Sequence, residues 1–414
     1  MLSQVKRVLT SALCIVMITA LSGCASSSSS LPQHVDMKSI AFAIPLYSLS
    51  SANKSESRMA LVKTDGSVSV YQGSTMFGLS ASWTKAGLYW ADTSDDYFIS
   101  SSGDVKNTPH SKTDFQYDSI PLADGSRIAT YHTGLQDAVA GRAILTKTDG
   151  SYRTLKFPYP SGVNAAVANC KDTLYLQIGD GDSWGARLPW FEMTSQGDFS
   201  FQPSVEYFAK DVLIKETDES ALGGSPHFMS LENSSDEMSC SANHVLQGLV
   251  RMRKTLEGPS VELLFLASYD MERKTQKYKP VIDELGRHFE ATGNYFRTSR
   301  EGFDSYGFPF INGDTGAFYY VNTSTGIATK LESPDNGDRN IVRSLVATST
   351  RYYVSSIPIN NRAGKHSTVS IYSRKTHKKI RTFAISDDFT RMQQVDPIQP
   401  SKMVVNPTEP LFNK

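Results

Sequence analysis

Leu61-Val62-Lys63-Thr64-Asp65-Gly66-Ser67, followed by Val68-Ser69-Val70-Tyr71, reads as a strand, a tight turn and a second strand. Asp-Gly supplies the positive φ that a short hairpin turn requires, at little steric cost. The phrase returns as Leu145-Thr146-Lys147-Thr148-Asp149-Gly150-Ser151, followed by Tyr152-Arg153-Thr154-Leu155. Gly66 and Gly150 stand 84 positions apart (150 − 66). Half of that, about 42 residues, is the length of one four-stranded propeller blade.

Other hairpin turns keep this rhythm. Ser102-Gly103-Asp104 falls between the two copies, and Gln196-Gly197-Asp198 follows them. Glu272-Arg273-Lys274, Thr325-Gly326 and Lys375-Thr376-His377 come later, each after a strand rich in β-branched or aromatic residues. Evenly spaced hairpins of this kind predict an all-β chain wound into a β-propeller of seven blades. An eighth blade has room in the irregular, acidic stretch from Val205 to Cys240, which otherwise reads as a surface excursion. Two β-sandwich domains are the competing architecture, since they too give short strands and frequent turns. Near the two ends, Ile40-Ala41-Phe42-Ala43-Ile44 and Met403-Val404-Val405 read as strands that share one blade, so that pairing of the N- and C-terminal strands closes the ring. Asp283-Glu284-Leu285-Gly286-Arg287-His288 is expected to form a short helical turn.

The N-terminus carries a different signal. Lys6 and Arg7 precede an apolar run from Val8 to Leu21, too short to span a bilayer, and Leu21-Ser22-Gly23-Cys24 ends it. This resembles the lipobox of bacterial lipoproteins. The resemblance covers the first two dozen residues and implies cleavage before Cys24, diacylation of that Cys and retention at a membrane, facing outside the cytoplasm. Two acyl chains suffice for stable anchoring. The expected organisation is therefore a signal peptide over 1–23, a flexible Ser-rich tether over 24–37 and the propeller over 38–414.

Cys14 leaves with the signal peptide and Cys24 takes the lipid, which leaves Cys170 and Cys240. In an exported chain that even pair is either a disulfide or two buried thiols. Lys+Arg and Asp+Glu are equal at 42 each, so no global field draws nucleic acid.

The loops between the second and third strands of the blades gather on one face of the disc, at the central channel. Two of them hold the candidate ligand-binding residues. Asp180, Asp182, Trp184 and Arg187 combine two carboxylates, a stacking surface and a guanidinium in one loop. Asp180 and Asp182 are candidate Ca²⁺ ligands, although the spacing is not that of an EF-hand; no other cofactor or metal is expected. Asn360 and Arg362, with Asn361, Lys365 and His366, can hold a carboxylate or phosphate. The opposite face carries two basic turns, at Arg273-Lys274 and Arg374-Lys375, suited either to anionic headgroups or to keeping edge strands soluble.

No His-Glu-x-x-His run, Gly-x-Ser-x-Gly elbow or Gly-x-x-x-x-Gly-Lys loop occurs. The expected function is a membrane-anchored, extracytoplasmic module that binds or assembles an envelope protein or glycan. The alternative is a carbohydrate-active hydrolase or lyase with paired carboxylates, such as Asp95 and Asp180, at the channel mouth.

Overall fold

The computed structural model describes residues 31–412, apart from 49–55, 77, 114, 123, 133–140, 158–161, 171–172, 181–189, 194–198, 202–226, 234–237, 242–243, 256–260, 292–295, 305, 333–339, 360–365 and 391–397.

Seven antiparallel sheets form a closed β-propeller. Blade one contains β1 (Ile40–Ser48), β2 (Ser57–Lys63) and β3 (Val68–Gly73). Blade two runs β4 (Ala81–Trp83), β5 (Gly87–Ala91), β6 (Asp95–Ser100) and β7 (Val105–Pro109). Blade three is β8 (Phe115–Pro121), β9 (Arg127–His132), β10 (Gly141–Thr146) and β11 (Tyr152–Lys156). Blade four is β12 (Gly162–Cys170), β13 (Thr173–Asp180), β14 (Trp190–Met193) and β15 (Phe199–Phe201). In blade five the inner strand is split into β16 (His227–Asn233) and β17 (Ser239–Cys240), before β18 (Val245–Thr255), β19 (Val261–Asp270) and β20 (Thr275–Pro280). Blade six is β21 (Phe296–Arg297), β22 (Gly307–Asn312), β23 (Phe318–Asn322) and β24 (Ala328–Glu332). Blade seven is β25 (Ile341–Ala347), β26 (Arg351–Pro358), β27 (Thr368–Ser373) and β28 (Lys379–Ala384). The last strands, β29 (Ile398–Pro400) and β30 (Val404–Val405), both pair with β1 and supply the missing inner edge of blade one.

Each blade is a meander, so its third-to-fourth turn leaves by one face and its second-to-third loop by the other. All the turns singled out from the sequence are third-to-fourth turns, one per blade. Residues 194–198 of blade four lie outside the described residues, but β14 and β15 on either side of them pair as a hairpin. The two sandwich domains are ruled out by this topology, and the described residues form seven sheets and not eight. Residues 227–233 and 239–240, inside the stretch considered for an extra blade, form the inner strand of blade five.

The apolar core is a ring of seams between neighbouring blades rather than one central mass. Leu249, Leu264 and Leu266 of blade five meet Phe296, Phe308 and Phe310 of blade six, and Phe42 of blade one meets Tyr353, Val369 and Ile371 of blade seven. Every large side chain buried there contributes roughly 1.5–3 kcal/mol. Cys170 on β12 and Cys240 on β17 are joined by a disulfide with a Cα separation of 5.3 Å, which links blades four and five.

Two local expectations are corrected. Residues 283–288 are not helical. Asp283 Oδ1 accepts from the backbone N–H of Leu285 and Arg287, and Gly286 adopts a φ of +79°, so the segment is a capped turn with a bridge between Ile282 and His288. The packed chain also begins before residue 38. Val35 and Met37 are buried, and the Val35 N–H donates to Gly103 O at 2.9 Å. The apolar Val35 and Met37 are drawn into the seam of blades one and two, which the polar residues around them conceal in the sequence.

Candidate functional site

In each blade the inner strand starts at the face that carries the second-to-third loops. At that end of the central channel, residues from five blades enclose a cavity of about 290 Å³. The end of β1 gives Tyr47, the approach to β4 gives Gly78 and Ser80, and β8 gives Phe115 to Asp118. Arg297 and Thr298 come from blade six, Val342 to Leu345 from β25, and Ser401 and Lys402 from the link between β29 and β30.

The charge of this wall is one-sided: Arg297, Arg343 and Lys402 against Asp118. Arg343 is 2% exposed, and its Nη1 donates to Gly313 O at 2.7 Å and Asp314 O at 3.2 Å. Its Nη1 is thus held in place by backbone carbonyls. Arg297 is exposed and Lys402 half-buried, so both are within reach of a solute. Burial raises the Tyr47 hydroxyl above its ordinary pKa, with the field of Arg297 acting against it, and that hydroxyl donates to Gln399 Oε1 at 3.1 Å.

Asp118 is already committed. Arg300 Nη2 donates to its Oδ2 at 2.5 Å, and the Ser119 N–H donates to its Oδ1 at 2.7 Å. The two partners of this ion pair are 182 positions apart, on blades three and six, so the pair spans the channel. The segment carrying Arg300 is tied on both sides. Ser239 Oγ of blade five donates to Ser299 O and Arg300 O, and the Ala347 N–H of blade seven donates to Ser299 Oγ at 2.9 Å.

Chemically, the cavity offers cations and aromatic surface to an acidic group. Asp118 is the one carboxylate among the described lining residues. A retaining glycosidase needs two, about 5 Å apart; the side chain of Asp180, read with Asp95 as such a pair, lies outside the described residues.

The residues singled out from sequence are placed as follows. Asp180 ends β13 at the same face as the cavity, and its side chain lies outside the described residues. Asp182, Trp184, Arg187, Asn360, Arg362 and Cys24 also lie outside them, and with Asp182 the proposed Ca²⁺ ligation. Among the described residues no three His, Cys, Asp or Glu are grouped to hold a metal ion. His366, read with Asn360 and Arg362, faces Asp387 at 2.5 Å. Asp92, at the loop between β5 and β6, is fully buried and accepts from three backbone N–H groups and from the Tyr97 hydroxyl, each at 2.8 Å, so it caps a turn. Beside it, burial and the Asp92 charge push the Asp95 carboxyl up.

In the basic turns on the opposite face, Arg273, Lys274 and Lys375 are exposed, whereas Arg374 is occupied in holding the fold. Arg374 donates to the carbonyls of Glu301, Gly302, Phe303 and Thr348, which clamps blade seven to blade six. Lys379 pairs with Glu332, and Arg381 lies over Phe412. The cavity residues themselves escaped sequence reading. Asp118, Arg297, Arg343 and Lys402 sit on four different inner strands or their ends, and no local spacing connects them.

No family model matches the chain, and no curated protein does. Solved structures do match. A functionally unknown protein from Desulfotomaculum acetoxidans aligns at 12% identity and a TM-score of 0.47, over 88% of this chain and 99% of that one. Cobalt-substituted Synechocystis ACO aligns at 8% identity and 0.47, over 87% and 95%. Apo AztD from Citrobacter koseri aligns at 9% identity and 0.38, over 88% and 98%. At such scores these likenesses carry no functional argument, and the fold stands on the strand pairings described above.

Proposed function

We propose that this protein is a lipid-anchored, extracytoplasmic binding propeller that takes an envelope protein or glycan at the channel mouth through an acidic group. The observation that supports the reading is the wall of the 290 Å³ cavity, which Arg297, Arg343 and Lys402 line together with Asp118, the one carboxylate among its described residues, held by Arg300. Charged hydrogen bonds to a carboxylate or phosphate are the strong ones, and Arg can make two at once. Phe115, Tyr117 and Tyr47 line the same wall, and aromatic rings near cations suit a sugar acid or an acidic peptide side chain.

The anchor half of the proposal rests on Lys6-Arg7, the apolar run and Leu21-Ser22-Gly23-Cys24. Residues 25–30 cannot reach further than about 20 Å even when extended. The packed chain begins against Gly103, in the blade two hairpin turn, so a lipid on Cys24 would tether the disc by its hairpin-turn face and leave the cavity turned outward.

Two measurements test this. Cells fed an alkyne-tagged fatty acid should label the parent chain and not Cys24→Ser, which should leave the membrane fraction; equal labelling would rule the anchor out. Capture of envelope material on immobilised protein should fall at least tenfold for Arg297→Glu combined with Lys402→Glu. Unchanged capture would remove the channel from the proposal and leave the anchor standing.

A further inference from the structure

The seam between blades two and three holds a group of buried charges that the channel does not use. Arg127 on β9 is 1% exposed, and its Nη2 donates to Asp96 Oδ1 at 2.6 Å. The same carboxylate pairs with His110 Nδ1 at 2.9 Å and stands 3.4 Å from Lys112 Nζ. Asp96 thus serves three partners. Asp92, the other buried carboxylate nearby, is hydrogen-bonded by its turn and by Tyr97, and its charge also acts on Lys112.

The rest of the Arg127 guanidinium has nothing to donate to. Its Nε and Nη1, and the Oγ1 of Thr146 on β10, are buried without a hydrogen-bond partner. Arg127 and Thr146 border a cavity of about 20 Å³. Lys106 and Lys147, both exposed, form part of the same wall, where Asp96 is the one carboxylate among the described lining residues; Asp124 and Asp149 lie within the field of Lys147. Space for one water-sized body needs roughly 10–15 Å³. A water there would satisfy the donors and leave the positive charge as it stands. A small anion would answer both, since a buried charge is tolerated only when paired and hydrogen-bonded. The volume suits a monatomic ion.

We propose that this seam is a halide site, in which Arg127 Nε and Nη1 and Thr146 Oγ1 donate to one chloride ion. The ion would fasten blade two to blade three. Because it binds only where the seam is formed, it would stabilise the fold by mass action. The site stands apart from whatever the channel binds.

Crystals of the full chain soaked in sodium bromide test the site directly. We expect an anomalous peak in this cavity within hydrogen-bond distance of Arg127 and Thr146. An ordered water there with no anomalous signal, or bromide only elsewhere, would overturn the proposal. In solution, exchange of chloride for gluconate at constant ionic strength should lower the melting midpoint by roughly 2–4 °C or more. Thr146→Val keeps the shape and removes one donor, and it should flatten that dependence. A midpoint indifferent to chloride in the parent chain, or an equal response in parent and variant, counts against the site, and the bromide map decides if the variant does not fold.

Discussion

Asp96 shows how much one side chain can hold. Burial alone would raise its carboxyl; Arg127, Lys112 and His110 outweigh this and hold it below the ordinary carboxylate range. Asp96→Ala would leave Arg127 and Lys112 buried without that counter-charge. The expected loss is about 3–5 kcal/mol, read from urea unfolding. His110 has the opposite bias. Its ring is stacked on Tyr152 with centroids 3.5 Å apart, and burial lowers its pKa against the pull of Asp96, with Lys112 and Arg142 adding to the burial. Below about pH 6.5 the unfolded chain therefore binds a proton that the native state resists. Stability should fall as pH drops from about 7 to 5, and His110→Gln should remove part of that slope in chemical denaturation at each pH.

At the scale of elements, two nearly identical hairpins make a controlled comparison. Gly66 and Gly150 both sit in Thr-Asp-Gly-Ser turns, with φ of +88° and +90°. A Cβ on Gly66 would stand 2.7 Å from the backbone oxygen of Ala384, whereas one on Gly150 would meet only Thr108 Oγ1, at 3.3 Å. Both Gly→Ala changes should destabilise, and by more than the roughly 0.4–1 kcal/mol that the same change gains at a compatible site. Gly66→Ala should cost clearly more, because backbone cannot rotate away as a threonine side chain can; melting midpoints of the two variants check the order. These turns are also what made the fold legible. Each outer hairpin carries its own local instruction in Asp-Gly, Thr-Gly or basic turn residues between apolar strands. The inner strands carry none. Phe296–Arg297 is two residues long and Ala81–Trp83 three, and their partners come from the next strand out. The cavity is assembled from those inner strands, so Arg297 and Lys402, 105 positions apart (402 − 297), become neighbours only once the ring is closed. The seam charges were hidden for the same reason: Asp96 and Arg127 belong to different blades.

For the molecule as a whole, two devices hold the circle. The Cys170–Cys240 bridge spans 70 positions and ties adjacent blades at their inner strands. Loop-closure arguments give such a bridge about 4 kcal/mol. Replacing both Cys with Ala should lower the melting midpoint, and adding a reductant should lower the parent midpoint toward the same value while leaving the variant unmoved. The second device is the pairing of β1 with β29 and β30, in which Phe42 meets Val405. Those residues are 363 positions apart (405 − 42), and at roughly 5–20 residues per second a ribosome needs about 20–70 s to deliver the second after the first. Throughout that wait the inner edge of β1 is bare, and its backbone at Phe42, Ala43 and Leu46 to Ser48 lacks the strands that will pair with it. Biogenesis thus includes a period in which any passing strand can take the place reserved for the chain's own tail, and a nascent chain cut short before Val405 would never leave it.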